Sequence, residues 1–141
     1  MANALYKLYK QVLLGAGLNL SSGVVKATLI DAADYAVNTT TDQYMNTDTV
    51  PAAARVSGNI TLGSKTVALG VFDAADGTFT AVSGDQAEAI VIWVDGGGGG
   101  VTASGTTDPL VVYIDTGTNL PVTPNGGDIV VAWNASGIFS L

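Results

Sequence analysis

From residue 55 to the end of the chain, short runs of apolar and β-branched residues alternate with breaks at Gly, Asp, Pro, Asn or Ser. Valine, isoleucine, threonine and aromatic residues fill these runs, and the spacing of 3.6 residues that marks a helix is missing. An earlier run of the same character lies at residues 24–30. The pattern therefore predicts roughly eight strands, at residues 24–30, 55–62, 64–72, 77–82, 87–94, 109–114, 128–133 and 137–141.

Short strands with few helical segments between them are typical of an all-β fold. A parallel sheet needs crossover helices, and no gap between these strands has a helical pattern long enough to supply one. We therefore expect an antiparallel β-sandwich or jelly roll. An up-and-down barrel remains open at this point.

One short helix is expected at the start of the chain. Apolar residues recur at near-helical spacing over residues 4–14, and Gly15 follows as a stop. The sequence accordingly divides into an N-terminal helical segment, residues 1–15, and a β-sandwich domain, residues 16–141. Residues 34–49 are rich in Asn, Thr and Asp and predict a long loop.

Three late strands carry apolar residues on both faces. They lie at residues 89–94, 110–114 and 129–133. A sheet with one wet face alternates apolar and polar residues, so something is expected to cover each face of this one. The N-terminal helix and a partner subunit are equally open as the second cover. We expect the chain to form a homodimer through apolar surface of these strands. The interface residues predicted there are Val91, Trp93, Val111 and Tyr113.

Charge is scarce and unevenly distributed. Charged residues make up 12% of the chain, about half of the usual share, and the mean hydropathy is +0.39. Residues 1–30 hold three lysines and no acid, whereas the remainder holds two basic and twelve acidic residues, a net charge of −10. That body is expected to repel nucleic acid. Lys7 and Lys10 form the one cluster of positive charge and are predicted to dock on a carboxylate-bearing partner.

Neither a membrane span nor a signal peptide is predicted. The longest apolar stretches fall far short of the roughly 18 residues that cross a bilayer. The first residues lack the apolar core and cleavage site of a secretion signal. We therefore expect a soluble chain whose surplus apolar surface meets other protein rather than lipid.

Candidate chemistry is sparse. With no His and no Cys, the commonest general base and the commonest soft metal ligands are missing. The glycine run 96–100 lacks the following helix and lysine of a phosphate loop, which favours a plain loop tip. Asp-Ala-Ala-Asp occurs at 31–34 and at 73–76, where turn chemistry is favoured over a calcium site. No catalytic, cofactor-binding or metal-ligating residue is predicted, and we do not expect an enzyme.

Four stretches resemble a family of small virion proteins of tailed bacteriophages, the capsid decoration or cement proteins. They are MANALY (1–6), GVFDAADGTFTAVSG (70–84), AEAIVIWVD (87–95) and PLVVYIDTGTNLPVTPNGGDIVVAWN (109–134). The turn-rich segment TGTNLPVTPNGGD, residues 116–128, carries the likeness most firmly. Within the family, the chain is most similar to the jelly-roll cement proteins of Bordetella-type podoviruses.

The resemblance implies a structural protein that is made in the host cytoplasm, binds the outer capsid surface and cements junctions between major capsid protein subunits. It also implies a homodimer. Two other functions remain open at this point. One is a tail or fibre component; the other is a carbohydrate-binding module with Trp93, Trp133 and Tyr113 as a stacking platform.

Overall fold

The computed structural model describes residues 3–96, 108–117 and 119–141. Most of the glycine run, residues 97–100, lies outside this range. The elements in chain order are β1 (Ala4–Leu5), α1 (Lys7–Leu14), β2 (Val24–Ile30), a short 3₁₀ turn (Ala52–Ala54), β3 (Ile60–Thr61), β4 (Thr66–Ala68), β5 (Val71–Asp73), β6 (Gly77–Phe79), β7 (Ala89–Asp95), β8 (Leu110–Ile114), β9 (Ile129–Val131) and β10 (Phe139–Ser140).

The strands form one large and two small antiparallel sheets. The large sheet has the order β1-β8-β7-β2-β3, and the small ones are β10-β5-β4 and β6-β9. Strand β7 lies at the centre and pairs with β2 over its whole length, from Ala89 to Asp95. The all-β sandwich with a short N-terminal helix is thus confirmed. No helix among the described residues is long and apolar enough to cross a membrane.

The described part of the chain forms ten strands where roughly eight were predicted. The predicted strand at 64–72 divides into β4 and β5, because the chain reverses at Leu69 and Gly70, whose φ angles are +52° and +79°. Residues 4 and 5 supply the other extra strand, since Ala4 pairs with Tyr113 of β8. Local propensity does not reveal either event, because each depends on which neighbour the segment meets.

The prediction of an N-terminal helix is correct, but the predicted first residue is wrong. It begins at Lys7 rather than at residue 4, because the preceding backbone bonds to the sheet and the loop instead. The Tyr6 amide donates to the Val111 carbonyl at 3.0 Å, and the Lys7 amide to the Thr39 carbonyl at 2.8 Å. Gly15 follows the last helical residue, as predicted. Tyr6 and Tyr9 are buried, so this segment shares the core of the β-sandwich.

One face of the large sheet looks towards the small sheets. Ile90 and Ile114 lie on that face and line a cleft together with Val131 and Phe139, which come from β9 and β10. Helix α1 packs at the edge of this layer. The ring of Tyr9 meets that of Phe139 edge-on, with 6.1 Å between centroids.

The second face is covered by the polar loop, which answers the question that the sequence left open. Residues 31–59 connect β2 to β3, and Tyr35 of this loop packs on Tyr113 of the second face. The rings of Tyr35 and Tyr113 lie 6.3 Å apart. The Met45 amide donates to the Asp108 carbonyl at 2.8 Å, close to the start of β8. The cover is therefore neither α1 nor a partner subunit but the Asn- and Thr-rich loop itself.

Strand β9 departs from the two-sided burial predicted for all three late strands. Both β7 and β8 are buried on both faces. Val130, in contrast, has 55% of its surface exposed. Strand β9 pairs only with β6, in a two-stranded sheet outside the central layer, so its outer face has no cover.

Candidate functional site

The predicted interface on the late strands lies inside the chain. Its four residues, Val91, Trp93, Val111 and Tyr113, have exposed fractions of 0%, 5%, 0% and 3%. The Trp93 indole donates to the Thr28 hydroxyl at 3.0 Å, beneath the polar loop. A homodimer through these four residues is therefore the wrong prediction, because all four side chains are already buried within the chain. The same burial rules out a stacking platform that combines Trp93, Trp133 and Tyr113.

Lys7 and Lys10 are both exposed on α1. With Leu14 they follow the spacing of three and four residues that places side chains on one helix face. The first turn has no acidic residue, and no side chain caps the helix. Positive charge at a helix N-terminus opposes the helix dipole, and neither lysine forms an ion pair with a described residue. A partner carboxylate would relieve this unfavourable arrangement.

An exposed apolar patch adjoins the helix. Val67, Leu69 and Leu141 have exposed fractions of 54%, 103% and 68%, and we call them the hairpin patch. Val67 and Leu141 also line a groove of about 180 Å³, whose other wall includes Tyr9 and Leu13 of α1. Helix α1 therefore borders the groove beside the hairpin patch through Tyr9 and Leu13, whereas Lys7 and Lys10 are not among the residues that line it.

Leu69 occupies an unfavourable position within the hairpin patch. A two-residue reversal with positive φ at both positions favours Asn-Gly, whereas this chain has Leu69 and Gly70 with φ of +52° and +79°. A leucine in the left-handed region costs roughly 1–2 kcal/mol. Full exposure means that no packing within the chain compensates for this cost. Such a residue points to a contact outside the chain.

Strand β4 is an exposed edge. It terminates the sheet β10-β5-β4, and all three of its residues are exposed. Natural edges are often protected by a charged side chain, above all lysine. The neighbouring Lys65 does not serve here, because its ammonium group donates to the Gly23 carbonyl, and burial lowers the pKa of Lys65. The edge of β4 is therefore available for pairing with another strand.

The two Asp-Ala-Ala-Asp segments have different surroundings. Asp31 accepts the Ala33 amide at 2.7 Å, which is the local turn chemistry expected of it. Asp76 instead accepts the Trp133 amide at 2.9 Å and ties β9 to the second segment. Oxygens of Asp31, Asp34 and Asp85 lie within 4.8 Å of one another, and the last two residues are exposed. Asp85 was not predicted to belong here, because only the fold brings it beside the first segment.

A cleft of about 570 Å³ lies where the large sheet meets the C-terminal segment. Its polar lining consists of amides and hydroxyls, and its aromatic lining residues are Trp133 and Phe139. Trp133 is half-buried, unlike Trp93. The residues that line the cleft are Asn3, Ile90, Ile114, Thr116, Gly117, Leu120, Val131, Ala132, Trp133, Asn134, Ser136, Gly137, Ile138, Phe139 and Ser140.

No protein-family model matches this chain, and a search of curated proteins finds no relative of it.

Proposed function

We propose that this chain is a structural virion protein that docks on the outer surface of a phage capsid and cements junctions between major capsid protein subunits. The observation that carries the proposal is the exposed hairpin patch, and the exposed lysines of α1 offer a second, charged surface. The resemblance of the four sequence segments supplies the class of partner. Exposed apolar side chains on a body of negative net charge suit docking on protein better than docking on nucleic acid.

The arrangement defines what the capsid surface has to offer. Leu69 projects from a two-residue turn, so it fits an apolar pocket on the major capsid protein. Lys7 and Lys10 then face carboxylates of the capsid surface, where they set orientation more than affinity. Each site contributes modest burial, and a capsid repeats it over many identical junctions. The shell is then stabilised by the sum of many small binding free energies, one from each site.

The same proposal includes a homodimer, which we assign to the edge of β4 instead of the buried late strands. Strand β4 can pair antiparallel with β4 of a second copy about a two-fold axis, which is the commonest oligomeric symmetry. Val67→Lys places a charge on this edge without changing the core. The variant should be monomeric in analytical ultracentrifugation at concentrations where the wild-type chain is dimeric. A wild-type chain that is monomeric at high micromolar concentration contradicts the homodimer but leaves capsid docking standing.

Capsid docking is tested with Leu69→Asn and with the double variant Lys7→Glu/Lys10→Glu. Asparagine is favoured at the turn, so Leu69→Asn should raise the free energy of unfolding by about 1 kcal/mol while removing the apolar anchor. Both variants should lose co-sedimentation with purified capsid shells that lack the protein. Val130→Ala is the matched control, because Val130 is exposed on another sheet.

Unchanged co-sedimentation of both variants, with wild-type stability or better, would contradict the docking surface. Locating the protein in a reconstructed virion tests the function itself. Density on the outer capsid surface over subunit junctions supports it, and density on the tail or fibres overturns it.

A further inference from the structure

We propose that the cleft beside Trp133 binds a neutral saccharide. This goes beyond capsid docking, and it uses a different part of the chain from the hairpin patch. At about 570 Å³, the cleft has the size of a small-molecule site. Its lining combines the aromatic side chains of Trp133 and Phe139 with uncharged hydrogen-bonding groups, which is the chemistry that sugar rings require.

The chain holds Trp133 in place from outside the cleft. Its backbone amide donates to the Asp76 carboxylate at 2.9 Å, and its indole N–H donates to the Ala75 carbonyl at 3.1 Å. The polar edge of the ring is thus satisfied by the second Asp-Ala-Ala-Asp segment. The remaining apolar surface of the half-buried ring lines the cleft, where it can pack against the C–H groups of a pyranose.

Hydrogen-bonding groups surround this ring and are still available. The Asn134 side-chain oxygen accepts the Ser136 amide at 2.8 Å, which fixes the orientation of the amide and leaves its NH₂ group to donate elsewhere. The hydroxyls of Ser136 and Ser140 make no hydrogen bond to a described residue and can both donate and accept. These three side chains lie close to Trp133 along the chain and share the lining of the cleft.

Another part of the lining is held in place by the side chain of Asn3. The Asn3 side-chain oxygen accepts the amides of Asp115 and Thr116, each at 2.9 Å, and its NH₂ group donates to the Thr116 carbonyl at 3.1 Å. This exchange ties the start of the chain to the end of β8. A cleft with one part of its lining fixed and free donors in another part is organised before any ligand arrives, which lowers the entropic cost of binding.

The charges on and around the cleft favour a neutral ligand over an anionic one. No Asp, Glu, Lys or Arg lines the cleft among the described residues. The carboxylate of Asp76 accepts the amide of the lining residue Trp133, on a body with a net charge of −10. An anionic sugar or a phosphate would meet this field without a cation to balance it. A neutral hexose or N-acetylhexosamine meets only donors, acceptors and the indole.

Ligand-observed NMR on the full chain tests the proposal with methyl α-glucoside, N-acetylglucosamine, maltotriose and diacetylchitobiose as probes. At least one should give saturation transfer, with tryptophan fluorescence changing over the same concentrations. Trp133→Ala should abolish binding, and Trp133→Phe should retain part of it. Ser136→Ala/Ser140→Ala should weaken binding about tenfold through two lost hydrogen bonds, while Ser22→Ala, an exposed serine elsewhere, should not.

Three results would overturn the proposal. The first is the absence of saturation transfer from all four probes at concentrations on the order of tens of millimolar. The second is wild-type affinity in the double serine variant, which removes only exposed hydroxyls and keeps the test valid if Trp133→Ala does not fold. The third is equal affinity for glucuronate, since the acidic surroundings should disfavour an anion.

Discussion

The hydroxyls of Tyr6 and Tyr35 lie 3.0 Å apart in the interior of the protein. Tyr6 follows the first strand, and Tyr35 belongs to the loop that covers the second face of the large sheet. The Tyr35 hydroxyl also donates to the Asp42 carboxylate at 2.6 Å, and the same carboxylate oxygen accepts the Asn38 amide at 2.8 Å. This short network fastens a polar loop over an apolar sheet.

The tyrosine network should contribute measurably to the free energy of unfolding. Tyr35→Phe removes the donor to Asp42 and the partner of Tyr6, leaving polar groups without their bonds in a buried place. We expect the free energy of unfolding to fall by about 1–3 kcal/mol in urea titration. Tyr44→Phe is the control, because the Tyr44 hydroxyl makes no hydrogen bond to a described residue. Equal stability of the two variants would contradict a structural role for the network.

Alkaline pH should unfold the protein. Burial raises the pKa of Tyr9 to about 12, and burial likewise raises the pKa values of Tyr6, Tyr35 and Tyr113. Below a pH of about 10, these tyrosines are protonated in both states and stability is complete. Above it, the unfolded chain loses protons that the folded chain keeps. Each such tyrosine then lowers the free energy of unfolding by about 1.4 kcal/mol per pH unit until its folded pKa is reached.

Urea unfolding at several pH values between about 8 and about 12 checks this dependence, with tyrosinate absorbance followed in the native protein. Tyr9→Phe should show a shallower fall in stability, since one contributing group is gone. Ionisation of these four tyrosines near pH 10 in the folded protein would disprove the expectation.

Trp93 should behave as a core residue. Trp93→Ala is expected to lower the free energy of unfolding by about 3–5 kcal/mol, because it leaves a cavity and removes the bond to Thr28. Val130→Ala, at an exposed position, should change stability by only about 0.5 kcal/mol. Light scattering on folded Trp93→Ala should give the same association state as the wild-type chain. A change of oligomer size without a loss of stability would show that Trp93 lies at an interface between subunits instead.

No metal dependence is expected of the cluster formed by Asp31, Asp34 and Asp85. Two of the three carboxylates are exposed, and Asp31 already accepts a backbone amide. The melting temperature should be the same in EDTA and in millimolar calcium. Asp85→Asn should leave stability equal or slightly higher, because it removes repulsion between like charges. A rise of several degrees with calcium, lost in Asp85→Asn, would identify a cation site.

The fold class followed from local pattern. Strand β2 and the apolar cores of β7 and β8 were predictable because β-branched residues in short runs have few other stable conformations. The scarcity of chemistry was equally visible, since it depends only on which residue types are present. The helix start at Lys7 was not predictable, because residues 4 and 5 fit a helix or a strand until β8 provides a hydrogen-bonding edge.

The apolar character of both faces of β7 and β8 could be predicted from the amino-acid order, because side-chain direction alternates along every strand. The cover of the second face, in contrast, can be identified only in the folded chain. The covering loop is polar in composition, and its few inward residues, such as Tyr35 and Met45, have no periodic spacing that a sequence pattern can detect. The hairpin patch is its counterpart: Leu69 looks like a core residue in sequence, and only the reversal at Gly70 places it in solvent.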